Sequence, residues 1–463
     1  MPKAKHPSLP AVSALLAALL GLAPHPARSQ SLAPAAPGAA TAAQPQPSVP
    51  SERDASWMLH AQATWIDQAH PSFDSPYEGA NSLTGDSEAD RTFSFSLFTG
   101  YRIMPGTDIY LDPEFFQGHG LSNTLGMAGF PNGEAVKAAY PNLHYNTSRL
   151  YIRKTIGLGG ETERIDDDQQ DIAGTFDVNR ITLTLGKVSA SDVFDTNTYS
   201  FDTRSQFMNW ALWESAAWDY PADVVGYTSG FIAEWNTKAW TLHYGIFLEP
   251  TVPNGARMDY HLLDAHAQIL QFDWKYNVGD LSGVLRPFVY WNQAKMGNYA
   301  DALASPDIAD ALSQSRAYRS KAGLGLSWDQ QLTKDLGAFV RLSWDDGRAE
   351  SFAFTEVDQS LATGLSLAGT RWGRKDDTFG IAGVVNGIAP AHQAYLAAGG
   401  VEGLILGDGA LNYGHEQILE TYYNWQVIKR LWISPDFQYA VNPGYNRDRG
   451  PVPIYAVRVH VEY

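Results

Sequence analysis

The sequence predicts an all-β fold: a transmembrane antiparallel β-barrel of about sixteen strands, with short periplasmic turns and long extracellular loops. Three observations predict it. Apolar and polar residues alternate with a period of two through most of the chain. After the N-terminus there is no run of about 18 apolar residues, so helical spans are excluded and any membrane crossing must be made by strands. The chain has 14 Trp, 23 Tyr, 20 Phe and 41 Gly but no Cys, so an exported protein of this size must hold together without disulfides or thiolate metal sites.

At the N-terminus, Lys3 and Lys5 precede an apolar run from Ala11 to Leu22, and Ala27-Arg28-Ser29 has the small-x-small form of a secretory cleavage site. Residues 1–29 are expected to be a signal peptide cut after Ser29. Removing Lys3, Lys5 and Arg28 from the 33 basic residues leaves 30 against 50 acidic ones, a formal charge of −20 that argues against nucleic acid as a partner. Residues 30–55, rich in Ala and Pro and without alternation, read as a linker, and residues 56–463 as the barrel.

Strands are expected near 57–66, 91–103, 107–116, 148–157, 180–188, 226–235, 239–248 and 264–276 in the first half. The second half supplies 283–292, 320–330, 337–345, 359–369, 377–386, 416–427, 430–440 and 454–463. An even count returns both termini to the periplasmic side. The last strand shows the pattern most plainly: Tyr455, Val457, Val459, Val461 and Tyr463 alternate with Arg458, His460 and Glu462, as a lipid face and a wet lumen face require. Links such as 104–106, 236–238 and 429–430 are short, whereas 189–225, 293–319 and 387–415 are long. Segment 158–179 breaks the rule by being long where a turn is due, so either that turn is elaborated or the count is locally wrong. Pro113, Pro287 and Pro435 fall on outward faces inside strands, where the missing N–H predicts a bulge or weak pairing.

The face opposite the lipid side supplies the lumen. It receives Arg102, Asp112, Glu114, Arg149, Arg153 and Glu234 from the first half of the chain, and Arg286, Tyr290 and Arg341 from the second. A lining of one sign would select ions by charge. A mixed lining with aromatics suits neutral polyhydroxyl solutes, because charged groups make directional bonds to hydroxyls and rings cover the apolar faces of sugars. For each residue taken singly, pairing of charges across the wall is the alternative. Loop 189–225 adds Trp210, Trp213, Glu214, Trp218 and Asp219 in a short, helix-compatible insert. A segment this apolar should not sit in solvent. Folded inward it would narrow the pore; a cap over the barrel mouth or a trimer contact is the alternative.

The stretches MNWALWESAAWDYPADVVGYTSGF (208–231), LAGTRWGRKDDTFGIAGVVNG (367–387) and YAVNPGYNRDRGP (439–451) resemble the carbohydrate-selective porins, the OprB-like family. So do GLSNTLGMAGFPNGEA (120–135), DVNRITLTLGKVSASDVFDTNTY (177–199) and AAGGVEGLILGDGALNYGHEQILETYY (397–423). The resemblance implies a sixteen-stranded barrel in the bacterial outer membrane that passes small sugars down their gradient, in contact with outer-membrane lipid, as a monomer or homotrimer. It gives no particular sugar and no sugar-binding residue. The chain departs from better-known members in its long Ala/Pro linker.

Phosphate-loop, zinc-protease and nucleophile-elbow motifs are missing, so no cofactor, no metal and no catalytic residue is expected. Asp166, Asp167 and Asp168 with Asp171 could hold a divalent cation but read better as a solvated turn. The alternatives to a saccharide porin are a general channel, an exporter of anionic polysaccharide, or an outer-membrane barrel hydrolase.

Overall fold

A computed structural model describes residues 55–135, 140–308, 310–353, 356–401 and 405–463. The expected signal peptide and all but the last residue of the expected linker lie outside them. Strands β1 (Trp57–His70), β2 (Glu88–Met104), β3 (Thr107–Gly118) and β4 (Tyr140–Gly157) are followed by a separate hairpin, β5 (Thr162–Ile165) with β6 (Gly174–Asp177). Next come β7 (Arg180–Val188), β8 (Thr228–Asn236), β9 (Trp240–Phe247), β10 (His266–Val278), β11 (Leu281–Met296) and β12 (Ala317–Gln331). The series ends with β13 (Leu336–Asp345), β14 (Gln359–Ala368), β15 (Thr378–Gly387), β16 (Glu416–Ile428), β17 (Leu431–Val441) and β18 (Val452–Glu462). All but β5 and β6 form one closed antiparallel barrel, in which each strand pairs with its neighbour in sequence and β4 pairs with β7.

Closure is made by β1 and β18, in register from Gln62 opposite Glu462 to Ala69 opposite Tyr455. The terminal Tyr463 extends the seam: its N–H donates to Ala61 O at 2.8 Å, and its carbonyl accepts from Ala61 N at 3.1 Å. Arg430 lies over its ring, 4.7 Å from the centroid.

The alternation produces two faces. Trp274, Val289, Trp291, Trp344, Tyr455 and Val457 are each exposed by 46–55% on the outside, although they are large and apolar. Such a band is stable only against hydrocarbon. On the inside, Asp112, Glu420 and Arg458 are fully buried and Arg341 is nearly so. Every expected barrel strand is present, and several run further toward the extracellular side. β4 begins at Tyr140 rather than near 148, and β11 continues to Met296 rather than ending near 292. These extensions rise beyond the apolar band, so the alternation that marks the rest of each strand fades there.

The three prolines act in two ways. At Pro113 the β3–β4 register shifts, from Asp112 opposite Arg149 to Pro113 opposite Thr147. At Pro287 and Pro435 the register holds but the ladder to the preceding strand is interrupted, with pairing resuming at Trp274–Leu285 and Trp425–Ile433. A residue without an N–H can do either. Segment 158–179 is an elaborated turn: β5 and β6 pair from Thr162–Asp177 to Ile165–Gly174 outside the barrel ladder, and the strand count stands.

Many inward rings lie over a glycine on the adjoining strand. Phe288 faces Gly325, Tyr290 faces Gly323, Phe339 faces Gly364 and Tyr422 faces Gly380 in direct cross-strand pairs. A Cβ added to any of these glycines would stand 2.1–2.4 Å from the ring. The missing side chain lets each ring lie against the wall instead of standing into the lumen. Much of the lumen is nonetheless filled. Phe194, Phe207, Trp210, Leu212 and Trp218 of the loop between β7 and β8 pack with Phe288, Phe339 and Tyr422 of the wall into one core.

Candidate functional site

The loop between β7 and β8 crosses the barrel and is gripped by inward side chains of the far wall. Arg341 of β13 donates to the carbonyls of Asp195 (2.7 Å) and Ser200 (2.6 Å) and pairs with the Asp195 carboxylate at 2.5 Å. Glu420 of β16 accepts from the backbone N–H of Met208 at 2.6 Å and of Asn209 at 2.9 Å. Arg458 of β18 donates to the carbonyls of Thr203 and Gln206 at 2.7 and 2.8 Å. Tyr290 donates to Ala217 O at 2.8 Å, and Lys321 lies 3.4 Å from Asp219. These charged groups satisfy loop backbone that would otherwise be buried without partners, which fixes the loop inside the barrel.

At its inner edge the loop forms one short helix, Trp210–Trp213, because Asn209 accepts from Ala211 N as an N-cap. Trp210 is buried, stacked on Phe130 at 5.2 Å and edge-on to Trp213 at 4.9 Å. Trp213 presses on Gly133, where an added Cβ would lie 2.4 Å from the indole nitrogen.

Beside this helix lies a cavity of about 380 Å³ bordered by Trp210, Trp213, Arg149 and Arg204. Each arginine sits between two carboxylates. Arg149 makes two bonds to Asp192, at 2.7 and 2.6 Å, and stands 3.6 Å from Asp112. Arg204 lies 2.8 Å from Glu134 and 3.1 Å from Glu114, and Glu114 also accepts from Ser96 and Tyr227. Burial works against the Arg204 cation, but Glu134 and Glu114 outweigh it and raise its pKa. The result is a rim of fixed charges whose signs alternate.

Of the lumen residues expected from the sequence, Arg149, Trp210 and Trp213 border the cavity, and Asp112 and Glu114 stand behind its arginines. Arg341 and Tyr290 serve the loop instead. Glu214, part of the loop itself, is buried at 1% exposure beside Asp195. Glu234 and Arg286 belong to a cross-strand chain along the wall, in which His243 lies 3.2 Å from both Glu234 and Asp273, and Arg286 lies 2.5 Å from Asp329. Arg102 and Arg153 sit near the periplasmic end. Arg102 pairs with Asp108 at 2.9 Å, and Arg153 pairs with Asp171 at 2.8 Å. The acidic turn is engaged as well, with Asp167 3.1 Å from His60.

Arg204, Glu134, Asp192, Gln169 and Gln170 also border the cavity and are not among the residues expected from the sequence. All lie in loops, where no alternation tells an inward side chain from an outward one. The apolar density of loop 189–225 and the unexpected length of segment 158–179 are the pointers the sequence offers.

The sequence model of the family described as "Carbohydrate-selective porin, OprB family" matches residues 80–463. Among solved structures, the high-pH structure of Pseudomonas putida OprB superposes with a TM-score of 0.64 at 16% identity, covering 88% of this chain and 94% of that one. The outer membrane channel DcaP of Acinetobacter baumannii gives 0.47 at 9% identity, over 89% and 99%. No curated relative matches the chain. The first structural likeness is one of fold; the family match carries the function. With its closed barrel of sixteen strands and apolar outer band, the chain belongs to the OprB family of carbohydrate-selective porins and is a carbohydrate channel of the bacterial outer membrane.

Proposed function

We propose that the protein lets small neutral saccharides diffuse passively through the cavity beside the inward loop, without turnover chemistry. One observation carries this reading: Arg149 and Arg204, each balanced by two carboxylates, stand on the same cavity as Trp210 and Trp213. Paired ions offer donors and acceptors to hydroxyls while presenting little net field to an ion. The indoles offer a flat surface to the C–H face of a pyranose. An exporter of anionic polysaccharide would need a lining mostly of Arg and Lys, and Glu114, Glu134 and Asp192 oppose it.

Swelling of liposomes containing the purified protein tests the reading. Glucose and other neutral sugars should enter faster than a singly charged sugar acid of similar size. Equal rates would leave a general channel, and hydrolysis of an ester or peptide by the pure protein would restore the enzyme alternative.

A further inference from the structure

The elaborated periplasmic turn reaches the same cavity from below. Between β5 and β6 the chain makes a tight turn, in which Asp168 and Asp171 exchange two backbone bonds of 3.0 and 3.3 Å. This puts Gln169 and Gln170 at the tip. The turn is pinned inside the barrel on three sides. His60 and Gln62 of β1 hold Asp167 and Gln169, the latter through a 3.1 Å bond from the Gln169 amide to Gln62. Tyr151 and Arg153 of β4 hold Gln170, by 3.2 Å to its side-chain oxygen and 2.9 Å to its carbonyl. Arg102 of β2 donates to the carbonyls of Ile172 and Ala173 at 3.2 and 3.3 Å. Asp168, Gln169 and Gln170 thereby share a cavity with Trp213 and Arg204 of the extracellular loop.

We propose that Gln169 and Gln170 line the periplasmic side of the saccharide site and act as specificity-determining residues, so a passing sugar is contacted from both the extracellular loop and the periplasmic turn. This rests on the passive saccharide reading above. A primary amide both donates and accepts and carries no charge, which suits hydroxyls and gives no hold to an ion. The Gln170 amide nitrogen has no partner among the described residues, while its oxygen is held by Tyr151. The donor is therefore oriented and available. A sugar passing between Trp213 and the Gln tip would touch both, whereas a site formed by the extracellular loop alone would offer it no contact on the periplasmic side.

The chain has no cysteine, so a single engineered thiol reports directly. In the reconstituted full-length barrel, Gln170→Cys should react with a cationic methanethiosulfonate reagent, and the modification should lower single-channel conductance. Saturating glucose should slow that reaction several-fold, and Gln170→Ala should weaken glucose block several-fold. Gln169→Cys provides the same readout if Gln170→Cys assembles poorly. If the thiol reacts at the same rate with and without glucose, or Gln170→Ala is blocked as tightly as the parent, the tip is only a brace and the proposal is overturned. Failure of every neutral sugar to block the parent protein would instead overturn the saccharide reading, and this proposal with it.

Discussion

Trp213 is half-buried and borders the cavity, so its indole takes up space that a solute would otherwise use. Trp213→Ala is expected to raise single-channel conductance and weaken block by sugars; unchanged values of both would show that the residue does not narrow the path. Trp210 is buried against Phe130, and its truncation should cost about 3–5 kcal/mol of loop packing, so it is the poorer probe of the pore itself. Glu214 gives a pH signature. Burial and then the nearby Asp195 push its carboxyl well above the ordinary 4.5, against weaker opposing pulls from Ser191 and Arg341. The folded value therefore exceeds the unfolded one, so the stability this group contributes is present below about pH 4.5 and lost as pH rises through the raised value. Glu214→Gln should melt higher than the parent at neutral pH, with the difference vanishing near pH 4. A constant difference across that range would mean that the Glu214 carboxyl titrates in the folded protein as it does in the unfolded chain. Alternation identifies the inward strand residues Arg149 and Glu114, but Arg204 and Gln170 are invisible to it, because irregular backbone has no fixed period linking sequence to direction.

At the scale of elements, the inward loop and the terminal strand each depend on a few polar contacts. Glu420→Ala would leave the Met208 and Asn209 N–H groups buried and unpaired, at about 1–3 kcal/mol each. The loop should then be cut by protease within 189–227 and the open channel should become noisy; a protease-resistant loop would show that its other anchors hold it without Glu420. Deleting Tyr463 removes the paired bonds to Ala61 and the ring under Arg430, and the folded fraction on a heat-modifiability gel should fall. Normal insertion of the truncated chain would contradict an assembly role for this residue. The strands are legible in the sequence because a half-lipid, half-aqueous environment forces a period of two. The reach of segment 158–179 into the lumen is not, since its length marks it as odd but its anchors Arg102 and Arg153 lie on other strands, and nothing in the segment itself points to them.

Over the whole molecule, one demand explains both halves of the design. A barrel in lipid must satisfy all its backbone internally, which closure of β1 on β18 achieves, and it must keep its polar lining apart from the hydrocarbon. Rings laid over Gly323, Gly325, Gly364 and Gly380 keep the wall thin where the loop packs against it, and a cavity of about 380 Å³ lies beside the loop. The saccharide reading stands or falls on what passes through that cavity. The most direct measurement is the single-channel conductance of the reconstituted protein during titration with glucose, maltose and a charged solute. Stepwise conductance that neutral sugars block in a saturable way, and the charged solute does not, is the predicted result. Steps that no sugar alters would contradict it.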